Sequence, residues 1–589
     1  MKWWLTLGAG MLFALSAYLS LGHSVRVPYD LVVYGGTPQG VTAAAAGARE
    51  GLNVLLIEPG GTLGGVLTKS WLATLDLTYD AEGEPLYGGL FRPFFRKLQH
   101  DVSFDVAKAA RAHREMLRDA GVHLKLNTAV RQFRQDGPLL STLILAGGHG
   151  NHAVQARYVI DATDTAELAA QTGARFTLGR QDTGLDDRQM AATLVFRLEG
   201  VTWSALAEQL ALEGQVLGNR AQVHGRSGRG LGNVTQDYVP SDPERFYLRG
   251  LNVARQDDTS LLVNGLLIFG VDGTNADSLK RAHEDARHEA ERVTFFLRRA
   301  LPQVFGGAVL RGVAPELYVR ESRHLLGRYR LKADDVLYGR RFPDGAALGG
   351  YALDGQMYLP GEAAYGLGRP APYQVPLRAL LPQHGPTNLL VVSQAASFDS
   401  AAAFSARVAP LQMALGQAAA LSVVLARQER VALPALVEHE RSLARYNKLL
   451  TLRGVRLEAP GPRGNEEDAK HESFPTARAL LQRGLFGAPG STPGDLRLDD
   501  PITARAFLNS LQHLMAATPV SGQENGSHRE LFSSWRARVG AHPLDKLSHA
   551  QAREILVSIG RPSAYLNSSE ELLLRGESAE VLWALFQTR

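Results

Sequence analysis

An α/β fold organised around a parallel strand–helix–strand unit is what this sequence predicts, and three observations predict it. Residues 30–34, Asp-Leu-Val-Val-Tyr, form a short β-branched apolar run of the kind buried on both faces in a parallel sheet. A glycine-bearing turn, Gly35-Gly36-Thr37-Pro38-Gln39-Gly40, leads directly into an alanine-rich helical stretch. A second apolar run, residues 53–57, then stops at an acid, Glu58.

Each element carries its own signal. Thr37 is placed to cap the helix, Pro38 fits its first position, and Gly51 stops it. Glu58 lies 18 positions beyond Gly40, close to the roughly 20 expected of an acid that binds a ribose. Glycine lets the backbone approach a diphosphate, the helix N-terminus supplies free N–H donors and a positive dipole end, and the acid accepts from a ribose hydroxyl. The middle glycine of the usual fingerprint is displaced, with Gly36 second and Thr37 third, so the order of elements carries the assignment. The expectation is a Rossmann-type dinucleotide site formed by Gly35, Gly36, Thr37, Pro38, Gln39, Gly40 and Glu58.

Composition narrows the chemistry. A chain of 589 residues exceeds what one core usually holds. Apolar residues at 45% and charged residues at 21% fit a globular protein. A net charge of +4 without a basic stripe argues against a nucleic-acid partner. The absence of cysteine removes disulfides, cysteine-ligated metals, redox-active thiols and a cysteine nucleophile, so redox chemistry requires a bound cofactor. No metal site is expected; His149 and His152 fall in a glycine-rich hairpin loop and receive no role.

Residues 1–22 read as a targeting segment: Lys2 precedes twenty uncharged, mostly apolar residues. Cleavage after Gly22 is the expectation and an uncleaved membrane anchor the alternative, which places the protein in the periplasm, the cell envelope or outside the cell.

Beyond the first unit, residues 122–130, 139–145 and 153–160 read as strands. Residues 176–310 alternate strand-like segments (193–198 and 261–271) with an amphipathic helix at 276–300 and show no second fingerprint, which suggests a substrate-facing insertion. The glycine-rich stretch 226–233 lacks the ending of a phosphate loop and reads as a mobile loop.

Tyr34-Gly35-Gly36-Thr37-Pro38-Gln39-Gly40 resembles the opening of the FAD-dependent oxidoreductase family. The resemblance extends to the loop Gly60-Gly61-Thr62-Leu63-Gly64-Gly65, the strand end Asp161-Ala162-Thr163, the stretch Arg320-Glu321-Ser322-Arg323, and a closing strand, loop and helix across residues 388–420. It implies FAD as cofactor, with Gly64, Gly65, Val130, Asp161, Ala162, Thr163 and Gln417 joining the cofactor-binding set. It also implies hydride transfer from a small-molecule substrate to the flavin. Arg320, Arg323 and Arg407 are the candidates for anion binding or flavin tuning, and Asp354, with Tyr351, for proton transfer. Asp164-Thr165 stands where the family commonly has Gly-Asp, and Asp354-Gly355-Gln356 lacks the histidine many relatives carry, so a histidine base or covalent flavin link is not carried over.

Residues 431–589 change to helices separated by Pro, Gly and Ser clusters. Residues 477–505 resemble a surface-layer-homology repeat, with 547–559 as a degenerate second copy, which implies contact with a cell-wall polymer. The chain is thus expected to divide into a targeting segment (1–22), a first FAD-binding segment (28–180), a substrate or cap region of α+β type (181–330), a second FAD-binding segment (331–430) and a helical tail (431–589). Two alternatives stay open: an envelope-binding protein with a non-catalytic flavin fold, and an NAD-dependent oxidoreductase.

Overall fold

The computed structural model describes residues 28–147, 150–217, 221–460, 466–489, 494–516, 532, 534–535, 545–559, 561, 563, 566 and 568–587. The targeting segment and His149 lie outside the described residues.

Strand β1 (Tyr29–Tyr34) pairs in parallel with β2 (Val54–Ile57), from Leu31 opposite Val54 to Tyr34 opposite Ile57. Leu31 and Val33 face one apolar cluster while Val32 and Tyr34 face another, which is why the strand reads as an unbroken apolar run. Helix α1 (Pro38–Arg49) connects them; the Thr37 side chain caps it by accepting from Gly40 N. Helix α2 (Val106–Ala120), capped by Asp105 and ended by left-handed Gly121, leads into β3 (His123–Lys125), the next parallel strand beside β2.

The strand expected at 122–130 is broken at Asn127, which takes φ +49°, a left-handed conformation that asparagine tolerates. The break lets Asn127 N donate to Gly60 O and Thr128 N to Glu58 O, tying the sheet to the acid-bearing loop. Strands β4 (Thr128–Asp136) and β5 (Leu139–Gly147) form an antiparallel hairpin that returns into β6 (Gly150–Asp161). The first half of β6 pairs with β5 and its second half runs parallel to β1, so Asp161 ends level with Tyr34.

The insertion is a six-stranded antiparallel sheet formed by β7 (Ala192–Glu199), β8 (Gln222–His224), β9 (Ser227–Gly230), β10 (Phe246–Arg255), β11 (Leu261–Ile268) and, after helix α3 (Ala276–Ala300), β12 (Val309–Val313). Its order is β12-β7-β11-β10-β9-β8. The glycine-rich stretch expected as a mobile loop is instead strand β9 and a following helical turn. Glycine is needed there for packing: a Cβ at Gly228 or Gly230 would stand 2.6 or 2.7 Å from Leu210 of the helix covering the sheet.

Strand β13 (Leu389–Val391) then adds to the first sheet beside the end of β6, and helix α4 (Ala409–Glu429) packs across α1. That crossing is close: a Cβ at Gly416 would lie 2.2 Å from Gln39 O, and Thr42 Oγ1 donates to Met413 O at 2.8 Å. Helix α4 is long and apolar enough to span a bilayer, yet it is buried as the core helix of this sheet. The result is a discontinuous Rossmann-type α/β region interrupted by an α+β insertion.

The tail contains α5 (Phe474–Leu481), α6 (Ala504–Ala516), α7 (His549–Ser558) and α8 (Arg575–Gln587). The extended residues just before the last three helices hydrogen-bond in a ring: Ile502 N to Leu573 O, Leu573 N to Leu547 O, and Leu547 N to Ile502 O. All three side chains are buried, so the tail closes around a pseudo-threefold apolar centre.

The entry of α1 tolerates no side chain, because a Cβ at Gly40 would sit 2.0 Å from Gly35 O. Gly40→Ala is expected to destabilise the protein by about 1–3 kcal/mol, the usual cost of overpacking, read as a lower midpoint in thermal denaturation.

Candidate functional site

Two turns meet at the carboxyl ends of β1 and β6. Gly35, at φ +107°, lies so close to the second turn that a Cβ would stand 2.8 Å from Ala162 C and Thr163 N. Thr37 Oγ1 donates to Ala162 O at 2.8 Å. The Asp161 carboxylate is consumed within its own turn: it accepts from Thr163 N, Thr163 Oγ1 and Ala169 N. Burial lifts its pKa to about 6 despite those bonds.

Beside this junction, Glu58 is 1% exposed. Its Oε2 accepts from Gly36 N at 2.7 Å and its Oε1 from Gly60 N at 2.7 Å. Lys69 Nζ reaches Glu58 Oε1 at 3.1 Å and Glu316 Oε1 at 3.0 Å. Burial alone would lower the Lys69 pKa, but Glu316 and Glu58 more than offset it and the ammonium stays charged. Gly64 N donates to Gly36 O, which sets Gly65 against the side of Thr37 and Pro38. Of the first-turn N–H groups of α1, Gly40 N is taken by the Thr37 side chain and Val41 N by Thr37 O, and Pro38 has none, which leaves Gln39 N and the positive end of the helix dipole at a junction of backbone beside a buried carboxylate.

That donor set fits a dinucleotide. Gly35, Gly36 and Gly40 leave no room for a Cβ, the helix terminus favours a diphosphate, and Glu58 Oε2, which accepts from Gly36 N, keeps a lone pair for a ribose hydroxyl. A crevice of about 380 Å³ continues alongside, with Val66, Ser70, Asp164, Glu316 and Val319 in its wall. Burial, reinforced by Glu316 and Glu58 and opposed by Lys69, raises the Asp164 pKa to about 6.

The chain leaving Gly65 runs through Ser70 into Trp71–Asp76, where a larger cavity of about 1020 Å³ opens against the inserted sheet. Trp71, Thr74 and Asp76 line it together with Arg249, Tyr318, Arg320, Tyr351, Asp354 and Arg407. Arg407 donates to Tyr318 OH at 2.6 Å and to Asp354 O at 3.1 Å. Tyr351 OH donates to Asp354 Oδ2 at 3.2 Å. Burial, with help from Asp354, raises the Asp76 pKa, although Arg407 pulls it back. Burial likewise lifts Tyr351, reinforced by Asp76 and Asp354.

Gly35–Gly40, Glu58, Gly64, Gly65 and Asp161–Thr163 thus converge at the junction of the two turns, and Arg320, Asp354 and Arg407 on the cavity. The other expected site residues lie elsewhere. Arg323 pairs with Leu178 in a two-stranded ribbon and stacks over Phe176 at 5.7 Å, away from the cavity wall. The Gln417 amide accepts from Leu90 N and donates to Arg453 O, so both its polar atoms are engaged in tying the chain after α4 to the α/β region. The side chain of Val130 belongs to the sheet core with Tyr34 and Ile57. Asp161 organises its turn and offers only backbone toward the crevice.

Arg249, Asp76 and Tyr318 escape sequence reading. Arg249 sits where β10 shifts register between Leu248 and Asn252, an irregularity that re-aims side chains and leaves no regular alternation to read. The readable signal for Asp76 is a lone acid between Leu75 and Leu77. Among the described residues, no group of three or more His, Asp or Glu is arranged to hold a metal ion.

The sequence profile of the FAD dependent oxidoreductase family matches residues 30–448. No curated protein matches the chain in sequence. Similar solved structures include a geranylgeranyl bacteriochlorophyll reductase-like protein of Thermoplasma acidophilum, at 12% identity over 87% of this chain and 96% of that one, with a TM-score of 0.36. They also include p-nitrophenol 4-monooxygenase of Pseudomonas putida DLL-E4, at 13% identity over 72% and 88% of the two chains, TM-score 0.34. A third is OxyS anhydrotetracycline hydroxylase of Streptomyces rimosus, at 12% identity over 82% and 84%, TM-score 0.35.

Replacing Glu58 by Ala removes a charged acceptor from the crevice. FAD affinity is expected to fall by about 10–100-fold, the range for losing hydrogen bonds to a charged group, while the circular dichroism spectrum is unchanged; equilibrium dialysis against FAD measures it. Protonation of Asp164 as pH falls through about 6 removes a negative charge beside the helix terminus. FAD binding should therefore tighten on acidification through that window, and Asp164→Asn should bind with little pH dependence.

Proposed function

The chain belongs to the FAD-dependent oxidoreductase family, and from that premise we propose that it removes a hydride from a small organic substrate held in the 1020 Å³ cavity. Gly36, Thr37, Gln39 and the α1 terminus would hold the FAD diphosphate, Glu58 the adenosine ribose, and Gly64 and Gly65 the chain leading toward the cavity. When bound, FAD supplies a two-electron acceptor.

The observation that carries this reading is the continuity of one segment. Residues 64–76 pass from the crevice beside α1 into the wall of the cavity, so cofactor and substrate share a boundary formed by consecutive residues.

Within the cavity the protein's own work is orientation and proton removal. Hydride loss from a carbon bearing O–H or N–H requires that proton to leave as well. Asp76 is the general base in this proposal: it faces the cavity, and burial holds its pKa above the ordinary carboxylate value. The Tyr351 hydroxyl donates to Asp354, which fixes that carboxylate beside Asp76. Arg407 fixes both Tyr318 and the Asp354 backbone, and so holds the wall in one shape.

A second element follows from the ring of hydrogen bonds among Ile502, Leu547 and Leu573. That pseudo-threefold centre is what a short motif repeated three times would produce, and it favours the tail as an attachment module for the cell envelope, consistent with residues 1–22 acting as an export signal. Cosedimentation of the full chain with purified sacculi tests the attachment; protein remaining wholly in the supernatant contradicts it.

The purified protein is expected to be yellow and to bleach anaerobically with its substrate, but not rapidly with NADPH alone. Asp76→Asn should slow that bleaching by about 10²–10⁴-fold, the usual share of a general base, with FAD content unchanged. Unaltered bleaching in this variant removes Asp76 from the mechanism.

A further inference from the structure

Three guanidinium groups, Arg249, Arg320 and Arg407, share the wall of the large cavity. Their hydrogen bonds go to neutral acceptors alone. Arg249 donates to Gly250 O and Asn264 Oδ1, Arg320 to Ala191 O, and Arg407 to Tyr318 OH and Asp354 O. Among the described residues no carboxylate oxygen lies within 4.0 Å of any of the three. Arg320 is 4% exposed and stacks on the Tyr318 ring at 4.2 Å. The Nε atoms of Arg249 and Arg407 are buried without a hydrogen-bond partner.

Some other buried or half-buried arginines of this chain are ion-paired, although buried Arg575 donates to backbone carbonyls alone. Arg180 is held by Asp186 at 2.6 Å, and Arg378 by Asp344 at 3.0 Å. The cavity's own acids make no direct ion pair with the trio, although Asp76 and Asp354 act on it through space. Glu362 accepts from Tyr358 N and Leu359 N, Glu213 accepts from Leu231 N, and Asp354 accepts from Tyr351 OH. Burial, with Arg249 and Arg407 adding repulsion, pushes the Arg320 pKa down to about 9, which still leaves it cationic at neutral pH. Arg320 is buried and Arg249 and Arg407 half-buried, and with no carboxylate in direct contact such cations are costly unless an anion joins them.

We propose that the substrate is an organic oxyanion, a carboxylate, sulfonate or phosphate ester, whose charged group is seated by Arg249 and Arg320 with Arg407 completing the positive wall. This rests on the reading of the cavity as the substrate site. Guanidinium suits the role because its planar donors meet two oxygens of one oxyanion at once. Arg249 arrives from the inserted sheet and Arg320 from the segment leading back to the FAD-binding region. The oxyanion would thus be gripped by side chains of two different elements, with Asp76 in the wall of the same cavity to serve the carbon to be oxidised.

The test uses FAD-loaded protein and four probes of one shape: naphthalene-2-carboxylate, naphthalene-2-sulfonate, 2-naphthyl phosphate and neutral naphthalene-2-carboxamide. Calorimetry measures affinity, and the visible flavin band reports whether a probe sits beside the cofactor. At least one oxyanion should bind about tenfold or more tightly than the carboxamide, the scale of losing a charged hydrogen bond; the tightest identifies the group. Arg249→Gln should abolish that preference while carboxamide affinity stays within about twofold, and Arg249→Lys, which keeps the charge, should retain some of it. Equal affinity for all four probes, or a preference that survives in Arg249→Gln, overturns the proposal. A protein that cannot be loaded with FAD defeats the functional reading instead, since calorimetry on the unloaded protein still reports the oxyanion preference.

Discussion

Backbone touches backbone where the turn after β1 meets the turn after β6, and the rest of the architecture depends on that contact. It exists because Gly35 and Gly40 lack side chains and because the Asp161 carboxylate holds the second turn in shape through Thr163 and Ala169. Val392 N donates to Asp161 O, so the returning strand β13 is anchored at the same point. A chain segment more than two hundred residues downstream of β6 is thereby brought into the first sheet. Helix α4 then packs over α1 at Gly416, which leaves the α1 terminus fixed at the junction beside Glu58.

From that junction the two functional volumes follow by geometry. At the α1 terminus close-packed backbone lies beside a buried acid, the features a diphosphate and a ribose require. The cavity is walled by the inserted sheet together with Trp71, Asp76, Tyr318, Tyr351 and Arg407, and its arginines have no direct ion-pair partner while they share the wall with Asp76, whose pKa burial raises. The protein places desolvated charge in the cavity at a cost in stability, an arrangement expected where a ligand supplies the missing partner.

The cradle was legible in the sequence because its requirements are local. A tight turn needs glycine, a helix start needs Thr and Pro, and the ribose needs an acid at the next strand end; all fall within about thirty consecutive residues, the span of a strand–helix–strand unit. The cavity was only partly legible, because it is assembled from positions far apart in the chain. Arg320, Asp354 and Arg407 stood out through the family resemblance, whereas Arg249 was hidden by the register shift of β10 and Asp76 by its apolar neighbours. Arg323 and Gln417 show the converse. Each sits beside a recognisable motif, yet Arg323 lies on a ribbon outside the cavity, and the Gln417 amide is spent holding Leu90 and Arg453. The 226–233 stretch misled for a similar reason: its glycines serve close packing under Leu210, and packing partners are invisible in a single sequence.

The central claim is that the α1 terminus and Glu58 hold a dinucleotide whose reactive end opens into the arginine-lined cavity. A crystal structure of the purified yellow protein tests it most directly. The account predicts the diphosphate against Gly36–Gln39, a ribose on Glu58 with Lys69 displaced or shared, and the flavin ring bordering the wall formed by Trp71–Asp76. A flavin bound elsewhere, with the α1 terminus covered by the protein's own side chains, would contradict it.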